Sequence, residues 1–266
     1  MTEHRLKPGK SVVLSKLSTR GKDFHDDRDQ AEQEFHTVCQ SMSDWQERLY
    51  AEGRQKLLVI FQAMDAGGKD GTTRAVFGGL NPQGVDVTPF KQPSTHEQSY
   101  DFLWRVHRAV PAGGMIGIFN RSHYEDILVP QVEKLLPPKV IKARYEMINH
   151  FEHLLANTGT RIVKFFLHIS KDEQKERLEE RITRPDKNWK FSYDDVEKRK
   201  DWDQYMAAYE SILEQCNSIE APWHVIPADQ KWYRNLTIAR TIVDTLEDMA
   251  PDYPEGPDNI DKVVID

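Results

Sequence analysis

Five short apolar runs punctuate the chain: Lys56–Gln62 (KLLVIFQ), Val85–Phe90, Met115–Asn120, Ile162–Ile169 and Trp223–Pro227. Runs this continuously apolar predict strands buried on both faces of a parallel sheet. Between them, apolar positions recur at helical spacing and predict helices over Thr72–Leu80, Glu97–Ala109, Pro138–Asn157, Glu173–Arg184 and Arg234–Met249. Strand alternating with helix predicts an α/β fold, a doubly wound parallel five-stranded sheet with right-handed crossovers.

Two regions stand outside that alternation. Asp29–Gly53 reads as an extra N-terminal helix, with Ala31, Phe35, Val38, Met42, Trp45 and Leu49 on one stripe that suits packing. Thr183–Gln215 lies between the fourth and fifth strands, where nucleotide kinases of this architecture often carry a mobile lid. No internal repeat or low-complexity linker interrupts the chain. The 266 residues therefore read as one domain, with a lid insertion at about 183–215 and an acidic tail at about 250–266.

Charge sharpens this picture. The net charge of −7 belongs to the C-terminal end, where eight acids from Asp244 onward face Lys262 alone. From Arg161 to Lys200 the balance reverses, with twelve Lys or Arg against nine Asp or Glu. An acidic protein can still carry a basic groove, because local potential depends on local charge, and nothing resembles the broad basic face of a duplex-binding protein, so no nucleic-acid partner is expected. No apolar run reaches membrane-spanning length, no signal peptide opens the chain, and Cys39 and Cys216 share no motif. A cytoplasmic location without membrane association is the expectation.

The chemistry gathers first at Ala63–Thr73, AMDAGGKDGTT. It nearly matches the phosphate-binding pattern G-x-x-x-x-G-K-[ST], but Ala63 replaces the first glycine and Asp70 the final Ser or Thr. The stretch follows a strand and opens a helix, the context in which such a loop binds phosphate. Ala66, Gly67, Gly68, Asp70, Gly71 and Thr72 then form the cradle. Its glycines let backbone N–H groups approach an anion, and the helix adds its positive end. Lys69 supplies a mobile cation, and Asp65 is a hard carboxylate suited to the metal that the missing hydroxyl would otherwise hold. The plainer reading is a glycine-rich turn with an exposed lysine.

A second cluster, Ile116–Asp126 (IGIFNRSHYED), ends the third strand. Asn120 stands where a metal-ordering acid is common, Glu125 and Asp126 follow it, and Arg121 can clamp phosphate through two N–H groups. Asp65, Asn120 and Glu125 are the candidate metal set. Ser122 reads as a cap, and His123 and Tyr124 as scaffold, because a phosphate acceptor needs no general base. In the lid region Arg177, Arg181 and Arg184 share a helical face, and Lys187, Lys190, Arg199 and Lys200 follow; a solvated salt-bridged face is the alternative. Lys91, after the second strand, and Asp229, after the fifth, are weaker candidates, the latter equally readable as a cap.

AMDAGGKDG, FNRSHYED, the KNWKFS segment and APWHVIPAD, in that order and spacing, resemble the family-2 polyphosphate kinases from about Lys56 to about Met249. The NRSHYED form resembles the class III branch. The resemblance implies a P-loop kinase-like fold with a helical lid, and transfer between inorganic polyphosphate and AMP, ADP or ATP with Mg2+, or Mn2+ in its place. Lys69 would hold phosphate, Asp65 would organise the metal, and Arg121 would neutralise the transferring group. Arg177, Arg181, Lys187 and Lys190 would grip the chain, and a homo-oligomer is implied. An ATP-dependent nucleoside-monophosphate kinase and a non-catalytic polyphosphate or nucleotide sensor are the rival readings.

Overall fold

The computed structural model describes residues 3–258 and 260–265. Its five strands are β1 (Lys56–Gln62), β2 (Val85–Pro89), β3 (Ile116–Asn120), β4 (Thr160–His168) and β5 (Trp223–Pro227). They form one all-parallel sheet in the order β2-β3-β1-β4-β5. β1 lies at its centre because Leu57 to Gln62 are fully enclosed, whereas β2, with Asp86 and Thr88 in its run, suits an edge. The other edge, β5, is covered by the N-terminal segment: Arg5 bridges antiparallel to His224, and Leu6 N–H donates to the Trp223 carbonyl at 2.9 Å. That contact satisfies backbone groups an open edge would leave exposed.

The helices are α1 (Arg28–Glu52), α2 (Lys69–Phe77), α3 (Thr95–Gln98), α4 (Trp104–His107), α5 (Glu125–Val132), α6 (Pro138–Asn157), α7 (Lys171–Thr183), α8 (Tyr193–Lys200), α9 (Trp202–Gln215) and α10 (Lys231–Met249). They surround the sheet in two groups, α1 and α2 packing on α10, and α6 and α9 packing on α5. The stripe expected on α1 does face inward: Ala31, Met42 and Leu49 are buried, and Phe35, Val38 and Trp45 pack against the core. Asp27 caps its start by accepting from Gln30 N–H, and Gly53, at φ +69°, ends it.

Three expectations need correction. The helix predicted over Glu97–Ala109 is two single turns, α3 and α4, because the Asp101 carboxylate accepts from Leu103 N–H and turns the chain. A further helix, α5, occupies Glu125–Val132 despite Pro130. Of the lid expected over 183–215, the second half is core. Trp202, Tyr205, Tyr209, Ile212 and Leu213 of α9 are buried, and the helix packs on α5. Only the end of α7, the Asn188–Lys190 turn and α8 overhang the sheet's C-terminal edge.

Candidate functional site

β1 runs into the loop 63–68, and α2 begins at Lys69. Ala63, where a glycine would be usual, is buried, and a side chain on Gly67 would lie 2.6 Å from the Ala63 methyl carbon. The small residue has moved, and Gly67 supplies the space. Ala66 adopts φ +60° and Gly68 φ +101°, so the backbone reverses tightly enough to open α2 without a capping side chain. Lys69 is 8% exposed, and its Nζ donates to the Ala63 carbonyl at 2.8 Å. Burial pushes its ammonium down to about 8, with the Arg121 charge acting in the same direction.

β3 delivers the opposite wall. Arg121, at φ +63°, turns off the strand end, and its Nη2 donates to Asp65 Oδ1 at 2.7 Å. Burial alone would keep Asp65 protonated longer, but Lys69, Arg121, Lys198 and Arg181 outweigh it and hold the carboxyl below its ordinary value. Glu125 is the converse: burial raises it, against the opposing pull of Arg121 and Lys69. Asn120 Nδ2 donates to Asp70 Oδ1 at 2.7 Å, tying the strand end to the first turn of α2.

Two clefts meet at Arg121. One, of about 450 Å³, is formed by the loop, Asn120, the end of α7, the Trp189–Lys190 turn and Lys231. Seven Lys or Arg line it against four Asp or Glu, so its local charge is positive while the protein's is negative. The other, of about 500 Å³, is walled by Phe90, Lys91, Arg105, Glu125, Asp126 and Lys198. A larger cavity of about 880 Å³, between the α5–α6 turn and α9, holds none of the loop residues and is lined mostly by apolar groups such as Leu135, Leu136 and Ile141.

The lid bases divide. Arg181 joins α7 to α8 through Asp195 Oδ2 at 2.6 Å, Lys187 pairs with Glu180, and Lys190 lies 4.9 Å from the Trp189 ring centre; all three face the first cleft. Arg177 lines the same cleft but is tied to the loop and does not overhang it. It is 9% exposed, with Nε on Glu173 at 2.7 Å, Nη1 on the Ala66 carbonyl at 3.1 Å and Nη2 on the Ala228 carbonyl at 2.6 Å. Its guanidinium supports the loop from beneath. Arg199 likewise turns inward to the Lys171 carbonyl and Gln174, while Arg184 and Lys200 pair with neighbouring acids in solvent.

Thr72 is also corrected: fully buried, its hydroxyl donates to the Gly68 carbonyl at 3.0 Å, so it serves α2 and not the cradle. Asp229 is a brace. Its carboxylate accepts from Ser170 N–H at 2.8 Å and from the Thr19 hydroxyl at 2.6 Å. Ser122 accepts from Gln62 and from Tyr124 N–H, which makes it a turn residue ahead of α5 and not the helix cap expected of it, since α5 starts without a side-chain cap. His123 and Tyr124 reach one buried carboxylate, Glu152, which pairs with fully buried Lys164 at 2.6 Å.

Three further bases, Lys198, Lys231 and Arg234, stand at the site with no motif to mark them in the sequence. Lys198 stands in a run of three bases, and only the helix turn decides that it enters the second cleft and the hollow beside Asp65 while its neighbours do not. Arg234, 2% exposed on α10, contacts Gly68 and is pushed down to about 9 by burial and by Arg177.

Among the described residues no three His, Cys, Asp or Glu side chains converge to cage a metal. Asp65 and Glu125 do face one small hollow between the loop and α5. Two carboxylates near a phosphate cradle suit Mg2+, which keeps waters and takes its other ligands from substrate oxygens. Asn120 is turned by its amide toward Asp70, which leaves its oxygen as the group such an ion or its water would meet. Among the described residues no helix is long and apolar enough to cross a membrane.

Residues 25–254 match the family model of polyphosphate kinase 2. A Meiothermus ruber protein named AMP/ADP-polyphosphate phosphotransferase is 47% identical over 267 residues, covering all of both chains. A Rhodopseudomonas palustris protein named ADP-polyphosphate phosphotransferase is 42% identical over 95% of this chain and 92% of its own. The crystal structure of polyphosphate kinase 2 from Arthrobacter aurescens TC1 superposes with a TM-score of 0.93 at 38% identity, covering 97% of this chain and 93% of that one.

Proposed function

The chain belongs to the polyphosphate kinase 2 family, and on that premise we propose that it moves the terminal phosphate of inorganic polyphosphate to AMP and to ADP, reversibly. The observation that carries this reading is the meeting of two clefts at Arg121. Phosphoryl transfer between two polyanions needs both held at once, with a cation where the phosphate changes hands. The basic cleft over the loop suits the polyphosphate chain, which repeats its charge and offers no base to read. The cleft beside Lys91 and Glu125 suits the nucleotide.

In the forward direction an oxygen of the acceptor's terminal phosphate attacks the end phosphorus of the chain. The new P–O bond forms as the last P–O–P bridge breaks, and the bridge oxygen leaves with the shortened chain, carrying the electron pair. The attacking oxygen is already an anion, so no base removes a proton, and buried His123 is left to its scaffold role. Lys69 holds the phosphates beside the loop. Arg121 faces both clefts and spreads its charge over the group in flight. Glu125, at the junction, sets how much negative charge the acceptor pocket tolerates. Bound Mg2+, or Mn2+ in its place, would be held by Asp65 with Asn120 and Glu125 near it, and would supply charge neutralisation to the phosphates.

The test is ATP formation from ADP, and separately from AMP, with Mg2+ and long-chain polyphosphate and no ATP supplied, followed by luciferase. Lys69→Ala run alongside removes the signal if it belongs to this protein. ATP from both acceptors, lost in the variant, is the expected outcome. Silence with polyphosphate but transfer to AMP from added ATP would make the protein a conventional nucleotide kinase. Binding without turnover would make it a sensor.

A further inference from the structure

Four Lys or Arg side chains are buried among the described residues: Lys69, Lys164, Arg177 and Arg234. Lys164 and Arg177 each have a carboxylate partner, Glu152 at 2.6 Å and Glu173 at 2.7 Å. Lys69 and Arg234 have none within ion-pair distance among the described residues, and these two lie against the same loop. An unpaired buried cation is costly to fold around, so its retention calls for a counter-charge that arrives later.

For Arg234 the surroundings narrow what that charge can be. Its Nε and Nη2 donate to Asn235 Oδ1 at 3.1 and 2.8 Å, a neutral acceptor, and Nη1 has no hydrogen-bond partner among the described residues. Nη1 lies 2.2 Å from where a Gly68 side chain would begin, and Arg177 Nη1 lies 3.4 Å from the same point. Of the charges beside it, the repulsion from Arg177 outweighs the attraction of Glu173. Glu173 is committed to Arg177, and Asp229 to Ser170 and Thr19. Among the described residues no carboxylate is left to pair with it, and the backbone it lies against, Gly68, is the wall of the phosphate cleft.

We propose that Arg234 is a hidden cation of the phosphate loop, a positioning residue whose counter-ion is the polyphosphate chain lying across Gly68. It does not touch the chain. It acts through a peptide with no side chain to separate them, raising the positive potential of the cradle and holding Gly68 in its left-handed turn. The missing side chain at position 68 thus answers both the backbone angle and the guanidinium beneath it. The inference rests on the polyphosphate reading above.

The experiment compares native protein, Arg234→Met and Arg234→Lys, measuring KM for polyphosphate and for AMP at several salt concentrations, with melting temperatures alone and with tripolyphosphate. Arg234→Met should melt no lower than native protein when alone, since it removes a buried unpaired charge. Its KM for polyphosphate should rise on the order of tenfold, with a shallower salt dependence and little change for AMP. Arg234→Lys should recover most of that loss. An unchanged KM for polyphosphate in Arg234→Met overturns the inference, whatever happens to melting. A rise that is equal for AMP also overturns it, because the residue is then general scaffold. Should Arg234→Met fail to fold, Arg234→Gln carries the same readouts. If native protein itself does not use polyphosphate, the functional reading fails, a result distinct from either of these.

Discussion

Arg121 Nη2 and Asp65 Oδ1 stand 2.7 Å apart, joining the end of β3 to the loop after β1. The pair fixes both partners before any substrate arrives, which is what electrostatic catalysis requires. Arg121→Ala should lower kcat by about 10²–10³-fold, the range typical of losing one prepositioned donor. Arg121→Lys should recover little, because a single ammonium cannot hold Asp65 and a phosphate together. Steady-state rates with ADP and polyphosphate check this.

Lys69 sets the alkaline limb of activity. Its folded value of about 8 lies below the ordinary 10.5, so between those values the unfolded chain binds the extra proton. Its contribution to stability therefore rises as pH climbs from about 8 to 10.5. Activity runs the other way: kcat/KM for polyphosphate should fall above about pH 8 as the free enzyme loses this charge. Bound phosphates favour the protonated form, so kcat should hold to higher pH. Coincident limbs for kcat and kcat/KM would contradict the assignment.

Glu125 lines the cleft beside Lys91 and the small hollow it shares with Asp65, and is held above its ordinary carboxylate value by burial. Glu125→Ala should change the ratio of AMP to ADP activity more than it changes the Mg2+ concentration for half-maximal rate. Initial rates with each acceptor across a Mg2+ series give both numbers. An unaltered ratio would remove Glu125 from acceptor choice.

Behind the strand end, Lys164 and Glu152 are a fully enclosed ion pair to which Tyr124 and His123 are bonded. Glu152→Leu should destabilise the protein by about 3–5 kcal/mol, because it strands a buried ammonium. Glu152→Leu with Lys164→Met should regain most of that loss. Urea unfolding of the two variants decides it.

The sheet was legible because β1, β3, β4 and β5 are buried runs whose apolar residues leave no other reading. α5 was not, since Pro130 speaks against a helix and only its packing on α6 and α9 outweighs it. In α9 the buried stripe from Trp202 to Leu213 was written in the sequence, but it follows directly on the charged run of α8 and was read with it. The loop itself announced its chemistry through order and spacing. Arg177 and Arg234 did not show their place against it, because Arg177 reaches it through the Ala66 carbonyl and Arg234 by lying against Gly68, contacts with backbone that no pattern of side chains records.

The overhanging bases come with their own acids: Arg181 with Asp195, Lys187 with Glu180, Lys198 with Asp194. On the proposed reading, a phosphate entering the cleft trades places with a carboxylate and does not meet a bare charge. Each contact is then an exchange of nearly equal partners, with a small net gain and a low barrier to reversal. A chain held this way can slip forward by one unit after each transfer without leaving the protein. Successive turnovers on one long polymer, with no burst of released intermediates, are the behaviour such a grip produces.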